Sequence, residues 1–145
     1  MAVTQIAGKQ VGPLDLTTEV SGILPKANGG TGVSNGIPPT QISSITSSAT
    51  PTVDVTLYEL LDITALTANI TSLSTSGTAG NWQRLWVSIK AAALQTVVWN
   101  TANFANSGGA TWPTSVPAGK TITAAGRYNP ALGKFVCFAV DAIGY

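Results

Sequence analysis

Apolar and polar side chains alternate in short runs from residue 51 onward, which is the pattern of β-strands that bury one face. In the clearest run, Leu85, Val87 and Ile89 alternate with polar residues and with Trp86. The runs that predict strands are 53–57, 66–71, 84–90, 95–99, 120–124 and 134–140. The last run is dense in apolar residues, which predicts a strand buried on both faces. Turn signals separate the runs, at 76–77, 79–81, 107–109, 117–119 and 129–133.

The segment 57–66 is the one stretch with some helical character. Its apolar residues have mixed spacing and it carries Asp62 and Thr64, so we expect little helix there. Several short strands separated by glycine- and proline-containing turns are typical of a sandwich or a small barrel. We therefore predict an all-β fold, a small antiparallel β-sandwich or jelly-roll-like domain that covers residues 51–145.

Residues 1–50 lack this sustained alternation. No charged residue occurs from 27 to 53, and that segment is dense in Gly, Ser, Thr and Pro. Such a segment buries too little apolar surface to offset the entropy cost of its own ordering. We therefore interpret residues 1–50 as an extended N-terminal attachment arm. The residues assigned to attachment are seven apolar anchors and four residues that set the chain path, namely Ile6, Val11, Leu14, Leu16, Val20, Ile23 and Leu24, then Pro25, Gly29, Gly30 and Gly32.

Charge is scarce along the whole chain. Charged residues make up 9% of it, the net charge is +1, and the seven basic residues are scattered. Nucleic-acid binding depends on several Lys or Arg contacts to phosphate, so we expect no nucleic-acid partner. No stretch approaches the roughly 20 apolar residues of a membrane helix, and the N-terminus lacks the features of a secretory signal, so we expect no membrane partner and synthesis in a host cytoplasm.

The residue types that most enzymes use are missing or isolated. The chain has no histidine, and Cys137 is its single cysteine, so neither a Ser–His–Asp unit nor an internal disulfide can form. Asp54, Glu59 and Asp62 fall within nine residues, and we interpret them as solvated surface acids rather than as a cation site. We expect no enzymatic activity, no catalytic or metal-binding residues and no cofactor.

Four tryptophans leave two interpretations open. Flat aromatic rings can stack on sugars, which would make a host surface glycan a partner, but buried aromatic residues in cores and subunit interfaces are more common. Trp86 lies on the face opposite Leu85, Val87 and Ile89, so it is either exposed to solvent or covered by another subunit. We assign Trp86 as an exposed aromatic contact.

One segment near the N-terminus carries a family resemblance. Residues 14–32 read LDLTTEVSGILPKANGGTG, and the part from Ile23 to Gly32 matches the pattern LPxANGGTG throughout. This resembles a segment of phage tail fibres and other virion appendage proteins. The resemblance covers about a seventh of the chain. It implies a homotrimeric virion protein in which this segment is an extended connector.

The second half is similar to small β-sandwich or jelly-roll domains on phage particles. The order Trp99, Trp112-Pro113 and Phe135, with short strands between them, carries this likeness. Long tail fibres have repeated shaft segments, whereas this chain has no internal repeat. We therefore expect a capsid decoration (cement) protein that attaches through its arm to the major capsid protein or another virion protein and stabilises the capsid as a trimer. A short tail-fibre or fibre-tip subunit that binds a host receptor is the alternative, and both place the protein in the virion.

The two-part layout has a testable consequence. We expect a protease to cleave within residues 1–50 of the free protein and to spare them on the particle, because nothing in this segment forms a core of its own. Limited proteolysis followed by mass spectrometry measures this, with residues 84–91 as the internal reference. A protease-resistant segment 1–50 in the free protein would contradict the arm.

Overall fold

The computed structural model describes residues 41–145, which form ten β-strands and no helix. The all-β prediction is therefore confirmed for this part of the chain. The strands are β1 (Ile42–Ile45), β2 (Thr52–Asp54), β3 (Leu60–Leu66), β4 (Ile70–Ser76), β5 (Arg84–Ala91), β6 (Gln95–Trp99), β7 (Phe104–Ala105), β8 (Ser115–Val116), β9 (Lys120–Asn129) and β10 (Lys134–Asp141).

The strands form two mixed sheets. One has six strands in the order β1-β3-β5-β9-β10-β7, and the other has four in the order β2-β4-β6-β8. From β1 to β6 the chain alternates between the sheets, and each strand lies parallel to the previous strand of its own sheet. Of the eight strand pairs within residues 41–145, five are parallel, so the prediction of an antiparallel sandwich is wrong in its pairing. Alternation of side chains shows which face a strand buries but not which strand lies beside it.

One hydrophobic cluster contains side chains of both sheets. Parallel register places Ile45 beside Ile63 and Ile63 beside Ile89, and antiparallel register continues the row to Ile122. The four-stranded sheet adds apolar side chains to the same cluster, including Val53, Leu73 and Val97. Ile63 is fully buried at the centre of the row. Same-face neighbours on adjacent strands are the contacts that stabilise a sheet, so this row ties four strands together.

The predicted strand at 66–71 is wrong in part. Leu66 is the last residue of β3 and Ile70 is the first of β4, and a short turn joins them. Both residues are buried, because each strand enters the turn with a side chain on the core side. The period of two continues across the turn, although the chain crosses there from one sheet to the other.

The predicted strand at 53–57 ends earlier than expected, at Asp54. The Asp54 carboxylate accepts a hydrogen bond from the backbone N–H of Thr56 at 2.9 Å, which closes a turn. This local bond offers the backbone an alternative to the sheet, a common role for aspartate.

The prediction that 134–140 is buried on both faces is also wrong. Phe135 and Cys137 point into the core, whereas Val136 is half-buried and Phe138 is 44% exposed. A register irregularity between Cys137 and Ala139 marks a β-bulge opposite β9. The apolar residues of β10 therefore serve two different faces of the sheet.

The boundary between arm and domain lies earlier than predicted. β1 falls within the segment 1–50, yet Ile42 pairs with Leu60 and Ile45 packs against the core cluster. The folded unit thus includes residues from Ile42, about ten before the predicted boundary. Residues 41–50 carry no charge and are rich in Ser and Thr, so they show no local sign of a strand. β1 forms because it pairs with a strand that lies almost 20 residues later in the chain.

The isoleucine row is the part of the core where we expect a substitution to lower the free energy of unfolding most. Ile63→Ala should lower the free energy of unfolding by about 2–5 kcal/mol, through lost apolar contact and the cavity left behind. Val98→Ala is the matched control, because Val98 is a β-branched strand residue that is 54% exposed, and its effect should stay within about 0.5 kcal/mol. Urea unfolding measures both, and equal losses in the two variants would contradict the assigned core.

Candidate functional site

An apolar band crosses the outer face of the six-stranded sheet. Strand register places Ile42 beside Leu60, Leu60 beside Trp86 and Trp86 beside Ala125. Ala125 in turn lies beside Ala139 of β10. We call this set the outer stripe, and its members are Ile42, Leu60, Trp86, Ala125, Ala139 and the adjacent bulge residue Phe138.

Two aromatic rings dominate the outer stripe. Trp86 is 41% exposed and meets Phe138 edge to face, with 6.3 Å between the ring centroids and 84° between the planes. The guanidinium carbon of Arg127 lies 5.9 Å from the centroid of the Phe138 ring, within the range of a cation–π contact. Ala125 is fully buried although its position puts it on the outer face. The two rings thus form an exposed aromatic platform beside a small, buried residue.

A groove of about 500 Å³ opens beside this platform. Trp82, Arg127, Asn129 and Phe138 are among its lining residues. Trp82 is 59% exposed and has a φ of +63°, in the left-handed region that bulky residues rarely adopt. The groove therefore combines aromatic surface with a cation and an amide.

The other two tryptophans belong to the core. Trp99 and Trp112 lie 4.3 Å apart between ring centroids, and Phe104 packs edge to face on both. The indole N–H of Trp99 donates to the carbonyl of Pro113 at 2.7 Å, and that of Trp112 donates to the carbonyl of Ala105 at 2.9 Å. These two rings are structural, which leaves Trp82 and Trp86 as the exposed pair.

Close packing around this cluster depends on a glycine in β9. A Cβ atom at Gly126 would lie 2.5 Å from Cζ2 of Trp112, closer than real carbon atoms approach. A larger residue at this position would therefore force the indole ring or the neighbouring backbone to shift.

Two further cavities in the described part of the chain have volumes of about 470 and 800 Å³. Their walls are apolar, hydroxyl, amide and backbone groups, and no ionisable side chain lines either cavity. Within residues 41–145 no group of three or more His, Cys, Asp or Glu residues could hold a metal ion. Of the three clustered acids, Glu59 is exposed and Asp54 and Asp62 are half-buried.

Cys137 lies on the core side of β10 and is fully buried. Burial raises the pKa of its thiol, and a backbone hydrogen bond at Ala139 acts in the opposite direction to a smaller extent. The thiolate, the nucleophilic form, is therefore scarce at neutral pH.

The sequence-predicted site residues fall into two groups. Trp86 lies on the outer face, at the centre of the outer stripe. The eleven attachment residues lie outside the described part of the chain: Ile6, Val11, Leu14, Leu16, Val20, Ile23, Leu24, Pro25, Gly29, Gly30 and Gly32. Sequence reasoning missed Phe138 and Arg127, and it considered Trp82 only as one of four tryptophans without assigning it to the site. Strict alternation along 134–140 would have placed Phe138 outside with Val136, but the interpretation as a strand buried on both faces hid that signal.

Comparison of the chain with protein-family models, with curated proteins and with solved structures gives no match. Among residues 41–145 no helix has the length and hydrophobicity needed to cross a membrane.

The position of Cys137 sets how it should react. We expect iodoacetamide at pH 8 to modify the native protein much more slowly than the same chain in denaturant, because the thiol is buried and its pKa is raised. Mass spectrometry of timed samples measures the rates. Equal rates would contradict the inward placement of β10 at this residue.

Proposed function

We propose that this chain is a structural protein of a bacteriophage virion. Its role is that of a capsid decoration (cement) protein, which attaches through its N-terminal segment and stabilises the capsid as a homotrimer. The observation that carries the proposal is the segment from Ile23 to Gly32, with its resemblance to phage tail fibres and virion appendage proteins. In this role the protein needs no catalytic residue, metal or cofactor.

Two features of the described domain support an assembled rather than a solitary protein. The outer stripe exposes a contiguous apolar surface, and such surfaces on soluble proteins mark interaction sites. The low charge of the chain supplies little repulsion between copies, which suits a protein that is held in a lattice. In the proposal the two sheets form a sandwich of the kind found on phage particles.

Attachment in this proposal is mechanical and multivalent. Apolar anchors such as Leu16 and Ile23 occupy grooves on the major capsid protein or another virion protein. Each contact is weak, but three arms on one trimer raise the effective concentration of the second and third contacts. A trimer can therefore bind strongly through segments that bind poorly one at a time.

A second candidate function is that of a short tail-fibre or fibre-tip subunit that binds a host receptor. The groove beside Trp82 favours it, because an aromatic face next to Arg127 and Asn129 is the chemistry that stacks on a sugar ring and hydrogen-bonds its substituents. The ligand in that case is a host surface glycan.

Particles that lack the protein separate the two functions. If it is a cement protein, such particles should assemble but burst at a lower temperature than the wild type. Deletion of residues 1–24 should abolish attachment, and Leu16→Asp with Ile23→Asp should weaken it strongly, because each aspartate would bury an unpaired charge. Leu94→Asp is the matched control, since Leu94 is an exposed turn residue of the described domain. Binding to stripped particles and a thermal release assay for DNA provide the measurements.

The fibre function predicts the opposite result for particles that lack the protein. Particles without the protein would be as heat-stable as the wild type but would no longer adsorb to cells. That result would replace the cement proposal with the receptor-binding one.

A further inference from the structure

We propose that the outer stripe is the surface through which copies of this chain contact one another, and that the symmetry axis runs parallel to the stripe, across the strands. The inference rests on the homotrimer of the proposed function. It adds which face is shared, how the copies are oriented and which charges pair between them.

Charged residues flank the outer stripe on both sides, with opposite signs. The next outward-facing residues towards the start of β5 form a row beside the stripe, in which Arg84 lies beside Arg127 of β9. Lys134, at the start of β10, extends this cationic side. One row in the other direction, Asp62 lies at one end and Asp141 at the other. Ser88 and Thr123 fill the positions between these two acids. The outer face thus presents a cationic row, an apolar stripe and an acidic row, in that order.

This order of rows selects the direction of the symmetry axis. If copies are related by rotation about an axis parallel to the stripe, the cationic row of each copy meets the acidic row of the next, and the apolar stripes converge on the axis. If the axis ran along the strands, each row would meet the same row of its neighbour at the same height. Like charges at an interface cost free energy, so the second arrangement is disfavoured.

The spacing along the stripe matches this arrangement. Rotation about such an axis does not move a residue along the axis. Each arginine therefore meets the part of the neighbouring copy that lies at the same strand of the sheet. Arg84 on β5 is one strand away from Asp62 on β3, and Arg127 on β9 is one strand away from Asp141 on β10. Adjacent strands are about 4.8 Å apart, a distance that an arginine side chain spans easily. Each contact between copies therefore has two Arg–Asp pairs.

These side chains are available for such pairing. Within residues 41–145 neither arginine forms an ion pair with an acid, and Arg127 instead lies over the ring of Phe138. The Asp141 carboxylate accepts a hydrogen bond from the backbone N–H of Gly144 at 3.0 Å, which leaves its second oxygen. Lys90 is exposed one row beyond the acids, at the margin of the face.

The two parts of the surface have different physical roles. Burial of Trp86 and Phe138 supplies the affinity, because aromatic anchors dominate interface energetics. Exposed ion pairs are worth little on their own, so the charged rows act mainly by rejecting wrong orientations. A surface that carries both signs on opposite sides of one apolar band is complementary to itself, which is why a second copy of the chain fits it.

Charge exchange within one chain tests the orientation. Arg84→Glu with Arg127→Glu places acids opposite acids, and Asp62→Lys with Asp141→Lys places bases opposite bases. We expect each double variant to raise the dissociation constant of the wild-type trimer at least tenfold at low salt. The variant with all four substitutions has the wild-type net charge and should associate within about threefold of the wild type, since every pair is restored with its signs exchanged. Sedimentation velocity across micromolar concentrations measures all four proteins.

A matched pair of substitutions tests the apolar stripe. Trp86→Ser should dissociate the trimer, whereas Val98→Ser on the outer face of the four-stranded sheet should leave it intact. Both residues are partly exposed strand residues, so neither change opens the core. Unchanged far-ultraviolet circular dichroism and melting of each variant show that the domain remains folded.

The outcomes of these experiments separate three claims: the assigned surface, the orientation of the copies and the trimer itself. A wild-type trimer that survives Trp86→Ser and both double charge variants would overturn the assigned surface while leaving the proposed trimer intact. If the double variants dissociate and the variant with all four substitutions dissociates as well, the proposed orientation would be overturned. A wild-type monomer would remove both this inference and the trimer, and the particle-stability assay would still decide the virion role. Loss of binding to host glycan in Trp86→Ser, with the trimer retained, would assign the stripe to a receptor instead.

Discussion

The in-register parallel pairing of β1, β3 and β5 is the constraint on which the rest of this structure depends. Because side chains alternate between faces, one register sets both faces at once. The pairing that stacks Ile45, Ile63 and Ile89 inside the domain is the same pairing that lines up Ile42, Leu60 and Trp86 outside it. A slip of one residue would put the isoleucines in solvent and Trp86 in the core. Selection for a well-packed interior therefore also holds the outer stripe in place.

The antiparallel half of the six-stranded sheet completes that outer surface. Ala125 leaves room above β9, where Phe138 of β10 meets Trp86. Alternation along β10 already places Phe138 outside, and the bulge between Cys137 and Ala139 puts Ala139 on the outer face as well. Bulges re-aim side chains and recur at functional surfaces. On the inner face of the same strands, Gly126 makes room for the ring of Trp112. Small residues in β9 thus let large aromatic rings pack on both faces of one strand.

The described domain and the N-terminal segment make separate contributions to the proposed function. The domain has a closed apolar core, hydroxyl-rich polar positions and few charges, so its folding depends on packing rather than on ion pairs. On the outer face of the six-stranded sheet, the arginines and the aspartates lie on opposite sides of one apolar band. In the proposed trimer this arrangement sets the orientation of neighbouring copies. The resemblance on which the proposed virion role rests lies in residues 14–32. Proposed self-association through the domain would gather three such segments on one assembly, which is how weak contacts become a firm attachment.

Local pattern was sufficient for some elements and not for others. Alternation along 84–90 predicted β5 and the outward position of Trp86, because a period of two is a property of the strand itself. The same signal could not reveal that β1 to β6 pair in parallel across two sheets, nor that β1 belongs to the folded unit, since both depend on partners 18 or more residues away. It also continued through the turn at 67–69 and concealed the two faces of β10. The sequence by itself determined the all-β class and the absence of histidine, and it supplied the segment on which the proposed function rests. The tertiary structure alone decided which charges flank which apolar residues, because that order exists only after distant strands lie side by side.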